Sequence, residues 1–283
     1  MVGGAASRVA ARGDGLSDGW TASFLTFNRE RLCCRDISLK MASCERNYFM
    51  NRKTKTALSS MLTRVGALLS PNIIYYLNRT LNYLEVGRWM RAQGFKIPRR
   101  LDTREQLFDL VGNEVSEREV LYMEFGVFEG AATRYWSKLL RNPKSKLHGF
   151  DSFEGLPESW PVGPGGTTLP KGQYSAKGQA PQIDDTRVQF FKGWFEQTLP
   201  NYKFPPHEVL VLILDADLYS STIYVLNALE KAIIPGTYVY FDEFYHRFDE
   251  LRAFDEFIKR TSMKFSVVGA THRLKNVMFQ RRL

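Results

Sequence analysis

Four carboxylates gather in two short stretches of this chain. Asp215 and Asp217 follow the apolar run 209–214, in Asp215-Ala216-Asp217-Leu218-Tyr219-Ser220-Ser221-Thr222, and Asp242-Glu243 follows 238–241. Short, unbroken apolar runs of this kind are the pattern of strands buried on both faces of a parallel sheet. Acids this dense at two strand ends are costly unless a cation or a proton separates them. Oxygen ligands suit Mg²⁺ or Ca²⁺. A metal would acidify a substrate hydroxyl, and a nearby carboxylate would take its proton. The plainer reading is helix capping by Asp217 or Ser220 with solvated acids behind it. His246 is the only histidine near this cluster in sequence and is the alternative base.

Two further strand ends carry binding residues. The run 120–125 leads into Glu124-Phe125-Gly126-Val127-Phe128-Glu129-Gly130, which opens a helix. Gly126 permits a tight turn and close approach of a ligand, and Glu124 can accept hydrogen bonds from an ammonium group. Phe128 and Glu129 stand where a pyrophosphate would need bare backbone, so a dinucleotide is disfavoured and a cationic cofactor without phosphates is expected. Asp151, in Gly149-Phe150-Asp151-Ser152-Phe153, ends the next strand and can take ribose hydroxyls. After a third strand, Trp194 could flank an adenine ring or pack in the core.

These residues need a scaffold that brings strand ends together. From Glu119 onward, apolar runs alternate with helical stretches, the signature of a doubly wound α/β sheet. Strands are expected at 120–125, 147–150, 188–192, 209–214, 238–241, 265–268 and 277–280, with helices at 131–140, 221–232 and 250–261. The closeness of the last two strands predicts an antiparallel hairpin at one sheet edge. A Gly- and Pro-rich loop, 152–187, leaves the ligand face and is expected to act as a lid. Three segments result: 1–50, a disordered tail or a misplaced start; 51–115, a helical appendage; and 116–283, the α/β domain.

Composition excludes several classes. No run is long and apolar enough to span a membrane and residues 1–30 lack a signal-peptide core, so a cytoplasmic location is expected. Cys33, Cys34 and Cys44 are three, clustered and without nearby histidine, so neither a disulfide framework nor a zinc site is expected. Residues 1–100 hold 17 Lys and Arg against 6 Asp and Glu, while residues 101–283 hold 22 against 24. The basic segment reads first as a solvated face. Two amphipathic helices within 56–94, with Lys53, Lys55 and Arg64, also suit a membrane surface or a second copy of the chain. No nucleic-acid partner is expected, because 215–218 lacks the Asn/Asp-Pro-Pro-aromatic pattern of amino-methylating enzymes.

In order and spacing, EFGVFEGAAT, GFDSFEGLPE, KGWFEQTLP, ILDADLYSST and YFDEF resemble the macrocin O-methyltransferase-like family, over about residues 100–283. The resemblance implies a Rossmann-like sheet of seven strands with a reversed last strand, S-adenosylmethionine as cofactor, and O-methylation of a sugar hydroxyl on a glycosylated metabolite or glycan. It implies Glu124 and Gly126 beside the methionine moiety, and Asp151 on the ribose with Ser152 and Phe153 adjacent. It further implies Asp217 as general base and Asp215, Asp242 and Glu243 as ligands of magnesium. Family members carry Asp-Asp where this chain has Asp242-Glu243. Alternative readings are a phenolic or lipid-linked acceptor, or a non-catalytic or membrane-peripheral protein on the same fold.

Overall fold

The computed structural model describes residues 51–96, 99–161 and 168–283. The expectations for residues 1–50, including the three cysteines, lie outside the described residues. The chain divides into two compact units between Arg64 and Val65. The described part of the first belongs to helix α1 (Arg52–Gly66), which buries none of its residues.

In the second unit, α2 (Pro71–Ala92) starts with Pro71 after the extended Ser70, as expected of a proline in a first turn. Its C-terminal end joins the core through Val86 and Met90, with Trp89 packed on Phe244 and Phe254. A two-residue strand, β1 (Arg100–Leu101), precedes α3 (Arg104–Val115). The α/β alternation follows as β2 (Val120–Phe125), α4 (Ala131–Leu139), β3 (Lys146–Asp151), the short pair β4 (Trp160–Pro161) and β5 (Thr168–Leu169), and β6 (Val188–Lys192). Then come α5 (Phe195–Thr198), β7 (Val209–Leu214), α6 (Tyr219–Ala228), β8 (Tyr238–Phe241), α7 (Glu250–Thr261), β9 (Phe265–Thr271) and β10 (Val277–Arg281).

The main sheet runs β1-β9-β10-β8-β7-β2-β3-β6, with β10 alone antiparallel to its neighbours. The seven expected strands are all present, and β1 adds an eighth beside β9. The β9–β10 hairpin forms as expected but not at the rim: β10 inserts between β8 and β9, with β1 outside them. Side chains alternate between two packed faces, because successive residues of a strand point to opposite sides. Leu210, Leu212 and Leu214 of β7 meet Val225 and Leu226 of α6 and Phe254 and Phe257 of α7. Val209, Val211 and Ile213 meet Leu107, Phe108 and Val111 of α3 and Trp136 of α4.

From β2 the chain adds β3 and β6 on one side, then crosses back to place β7 on the other. The strand ends diverge at this switch, and ligands of such sheets bind there.

Candidate active site

Gly126 closes the turn after β2 at φ +90°, and a Cβ there would lie 1.9 Å from the Asp215 carbonyl oxygen. Only glycine lets the ends of β2 and β7 come this close. Beside them opens a cleft of about 660 Å³, lined by Gly126, Phe128, Asp151, Ser152, Trp194, Asp215, Asp217, Asp242, Glu243 and Lys275 among others. The 152–187 loop supplies one wall through Gly155, Leu156, Pro157, Glu158, Lys171 and Tyr174. It is tied down by Trp160, whose indole N–H donates to Asp249 at 3.1 Å, and by Ser220, which donates to Glu158 at 2.7 Å. Leu156, Trp160 and Leu218 form a small apolar cluster beneath it.

Asp151 braces the turn that it adjoins. One carboxylate oxygen accepts from the Val127 and Phe128 amides, both at 2.8 Å, and the other from the Phe153 amide at 2.7 Å. A carboxylate offers about four acceptor sites, so one remains for a ligand hydroxyl. Ser152 and Trp194 line the cleft beside it. Phe153 does not: it is fully buried and its ring packs edge-on against Phe190.

Glu124 also lies outside the cleft lining. Strand alternation turns it toward the α3–α4 layer, where it is buried and accepts hydrogen bonds from Tyr122, at 2.9 Å, and from Thr133. Burial pushes its carboxyl up to about 7, against the pull of those two hydroxyls.

The acid cluster forms as the sequence suggested, but its members are not equivalent. Asp242 accepts from Tyr240 at 2.6 Å and from Asn276 at 2.8 Å. Arg104 lies 3.5 Å from Asp242 and 3.7 Å from Asp215. Lys275 lies 2.9 Å from Glu243 and 3.5 Å from Asp242. Burial, with Asp242 and Asp217 next to it, raises Asp215 well above the usual carboxylate range. Among the described residues, no group of three or more His, Cys, Asp or Glu side chains is arranged to hold a metal ion. The expected magnesium ligands Asp215, Asp242 and Glu243 therefore do not offer a cage as they stand, because basic side chains already occupy their faces.

Asp217 differs from the other three acids. Among the described residues its carboxylate has no hydrogen bond or ion pair to a protein group, and it lines the cleft. It sits at the apex of a three-residue turn, with Leu218 N–H donating to Ala216 O at 2.6 Å and φ at 58°. Such turns are strained and concentrate at functional sites. Burial first, then the neighbouring Glu243 and Asp242, push its carboxyl up to about 7. His246, by contrast, is buried against Asp249, at 2.8 Å, and against the Trp160 ring, and does not line the cleft.

Sequence reasoning missed Arg104, Lys275 and Tyr174. Arg104 follows the helix cap Thr103, and a cation at a helix N-terminus opposes the helix dipole; that anomaly was the available signal. Nothing local marked Lys275 or Tyr174.

The model of the family described as Macrocin-O-methyltransferase (TylF) matches residues 97–269. The chain belongs to that family. Among curated proteins of similar sequence is the 8-demethyl-8-(2,3-dimethoxy-alpha-L-rhamnosyl)-tetracenomycin-C 4'-O-methyltransferase of Streptomyces olivaceus. It is 31% identical over 140 residues, which are 43% of this chain and 52% of that protein. The demethyldecarbamoylnovobiocin O-methyltransferase of Streptomyces niveus is 29% identical over 163 residues, 52% of this chain and 60% of that one. The match thus spans only 52% and 60% of the length of these two relatives. Similar solved structures include the O-methyltransferase NovP (25% identity, TM-score 0.45, covering 63% of this chain and 78% of that one). A calicheamicin methyltransferase, CalS11, is also similar (23% identity, TM-score 0.49, covering 63% and 80%).

Proposed function

We propose that this member of the macrocin O-methyltransferase family transfers a methyl group from S-adenosylmethionine to a sugar hydroxyl of a glycosylated metabolite. The observation that carries the reading is the unpartnered Asp217 carboxylate, held in a strained turn at the wall of the cleft. The cofactor half of the cleft fits a nucleoside without phosphates. Gly126 leaves room for the methionine moiety, the free acceptor site of Asp151 takes a ribose hydroxyl, and Trp194 offers a face for the base. Glu124 stays outside the cleft lining, accepting hydrogen bonds from Tyr122 and Thr133.

When bound, the cofactor supplies a methyl group on a positively charged sulfur, which is a good leaving group. Gly126, Asp151 and Trp194 would hold the cofactor, and its methyl group would be what the acceptor oxygen receives. The chain must align the acceptor and take its proton. Asp217 receives the proton, and a carboxyl poised near neutrality is a stronger base than an ordinary aspartate. Phe128 and Tyr174, 39% and 44% exposed and in edge contact, present aromatic faces to the C–H side of a sugar ring. The magnesium ion implied by the resemblance is not carried into this mechanism, because the acids it would use face Arg104 and Lys275.

One peripheral reading accompanies this one. Among the described residues no helix is long and apolar enough to cross a membrane. Helix α1 leaves Leu58, Met61 and Leu62 exposed beside Lys53 and Arg64, which supports contact with an anionic membrane surface; flotation with anionic vesicles tests it. The central reading is tested with methyl-labelled S-adenosylmethionine and a panel of glycosides, their aglycones and simple phenols. Label is expected on glycosides and on no aglycone. Label on phenols alone would overturn the sugar assignment.

A further inference from the structure

Building on the reading of this cleft as a methyl-transfer site, we infer that Lys275 and Arg104 take the place of a bound divalent metal at the acid cluster. Lys275 is the positioning cation beside Asp217.

The backbone puts Lys275 there. β10 pairs antiparallel with β8 in the register Val277↔Phe241. Continued by two residues, that register sets Asn276 opposite Asp242 and Lys275 opposite Glu243. Both pairs are realised: Asn276 donates to Asp242 at 2.8 Å, and the Lys275 ammonium lies 2.9 Å from Glu243. The Phe244 amide also donates to the Lys275 carbonyl at 2.7 Å, extending the ladder past the strand end. Opposed charges directly across an antiparallel pair stabilise it. The ammonium is thus set by strand register, with its stem on a hydrogen-bonded turn.

The place it occupies is the one a metal needs. Magnesium requires near-octahedral oxygens at roughly 2.0–2.1 Å. The Lys275 ammonium lies within 3.5 Å of both Glu243 and Asp242, two of the three acids expected to hold a metal. On the other side, Arg104 faces Asp242 at 3.5 Å and Asp215 at 3.7 Å. Tyr240 and Asn276 both donate to the Asp242 Oδ1, and its Oδ2 faces Lys275. Every carboxylate of the expected metal set therefore has a protein cation in ion-pair range, whereas among the described residues Asp217 has an ion pair with none. The acids that they face are 9–27% exposed, where uncompensated charge would be expensive. Lys275 lines the cleft with Asp217, so its ammonium protons are available to an acceptor oxygen, the role that a metal would fill.

The test uses the full-length protein, stripped with EDTA, and follows thermal unfolding with and without millimolar Mg²⁺ or Mn²⁺, for wild type, Lys275→Met and Lys275→Arg. Wild type and Lys275→Arg are expected to unfold at the same temperature with or without either ion. Lys275→Met is expected to unfold several degrees lower in EDTA and to recover on adding the ion. Stabilisation of the wild type by several degrees, or stoichiometric metal in the purified protein, would overturn the inference. So would a Lys275→Met protein that ignores both ions. If Lys275→Met does not fold, the wild-type series decides. Calorimetry with S-adenosylhomocysteine on the same samples separates the two proposals: absence of binding sinks the methyl-transfer reading, whatever the metal series shows.

Discussion

Gly126 and Asp215 meet at the switch point so closely that a single methyl group on Gly126 would fall 1.9 Å from the Asp215 carbonyl oxygen. Asp215 N–H also donates to Phe125 O at 2.9 Å, so neither strand can withdraw without breaking the ladder. Gly126→Ala therefore combines overpacking with a left-handed backbone that alanine disfavours. Each costs about 1–3 kcal/mol. A lower unfolding temperature and loss of S-adenosylhomocysteine binding are expected together. A variant with wild-type stability and affinity would show that the turn has slack.

Asp151 links the turn to the ligand. Its loss leaves three backbone amides without their acceptor and removes the site for a ribose hydroxyl. Asp151→Ala is expected to weaken S-adenosylhomocysteine by about 1.5–3 kcal/mol, the scale of a hydrogen bond to a charged group. Calorimetry reads this as roughly a ten- to hundredfold rise in Kd. An unchanged Kd would remove Asp151 from the cofactor site.

Glu124 makes stability depend on pH. Burial raises its folded-state carboxyl to about 7 from the ordinary 4.5. Between those values the folded chain holds a proton that the unfolded chain has released, so stability falls as pH rises through this window. The full effect is roughly 3 kcal/mol for one buried group shifted this far. Glu124→Gln keeps an acceptor for Thr133 and Tyr122 without the titration. Denaturant titrations at several pH values should show a shallower decline for the variant, with its advantage over wild type growing between about pH 4.5 and 7 and levelling off above that. Parallel curves would mean that Glu124 titrates normally.

Asp217 should matter to turnover and little to binding. Asp217→Asn keeps the shape and removes the proton acceptor, so kcat is expected to fall by about 10²-fold or more. S-adenosylhomocysteine affinity should stay near wild type, because the cofactor contacts are assigned to Gly126, Asp151 and Trp194. A fully active variant would exclude Asp217 as the base. His246 would be a poor replacement, since it is committed to Asp249 beneath Trp160.

The sequence by itself determined the α/β alternation, the strand that each motif ends, and hence the gathering of Asp151, Asp215, Asp217, Asp242 and Glu243 at one end of the sheet. The reason is local: apolar runs, period and turn residues specify each element, and parallel strands send all their carboxyl ends to the same side. Only the tertiary structure decided which groups reach the cleft and what they face. Glu124 and Phe153 carry the right chemistry at the right strand ends, but strand alternation and the turn at Phe153 bury both. His246 lies four residues past Asp242 yet belongs to the clasp of the loop. Arg104 and Lys275 are 171 positions apart in the numbering. They meet at Asp242 because α3 packs against the sheet and β10 folds back beside β8, and charge compensation across such separations depends on pairing that no local pattern encodes.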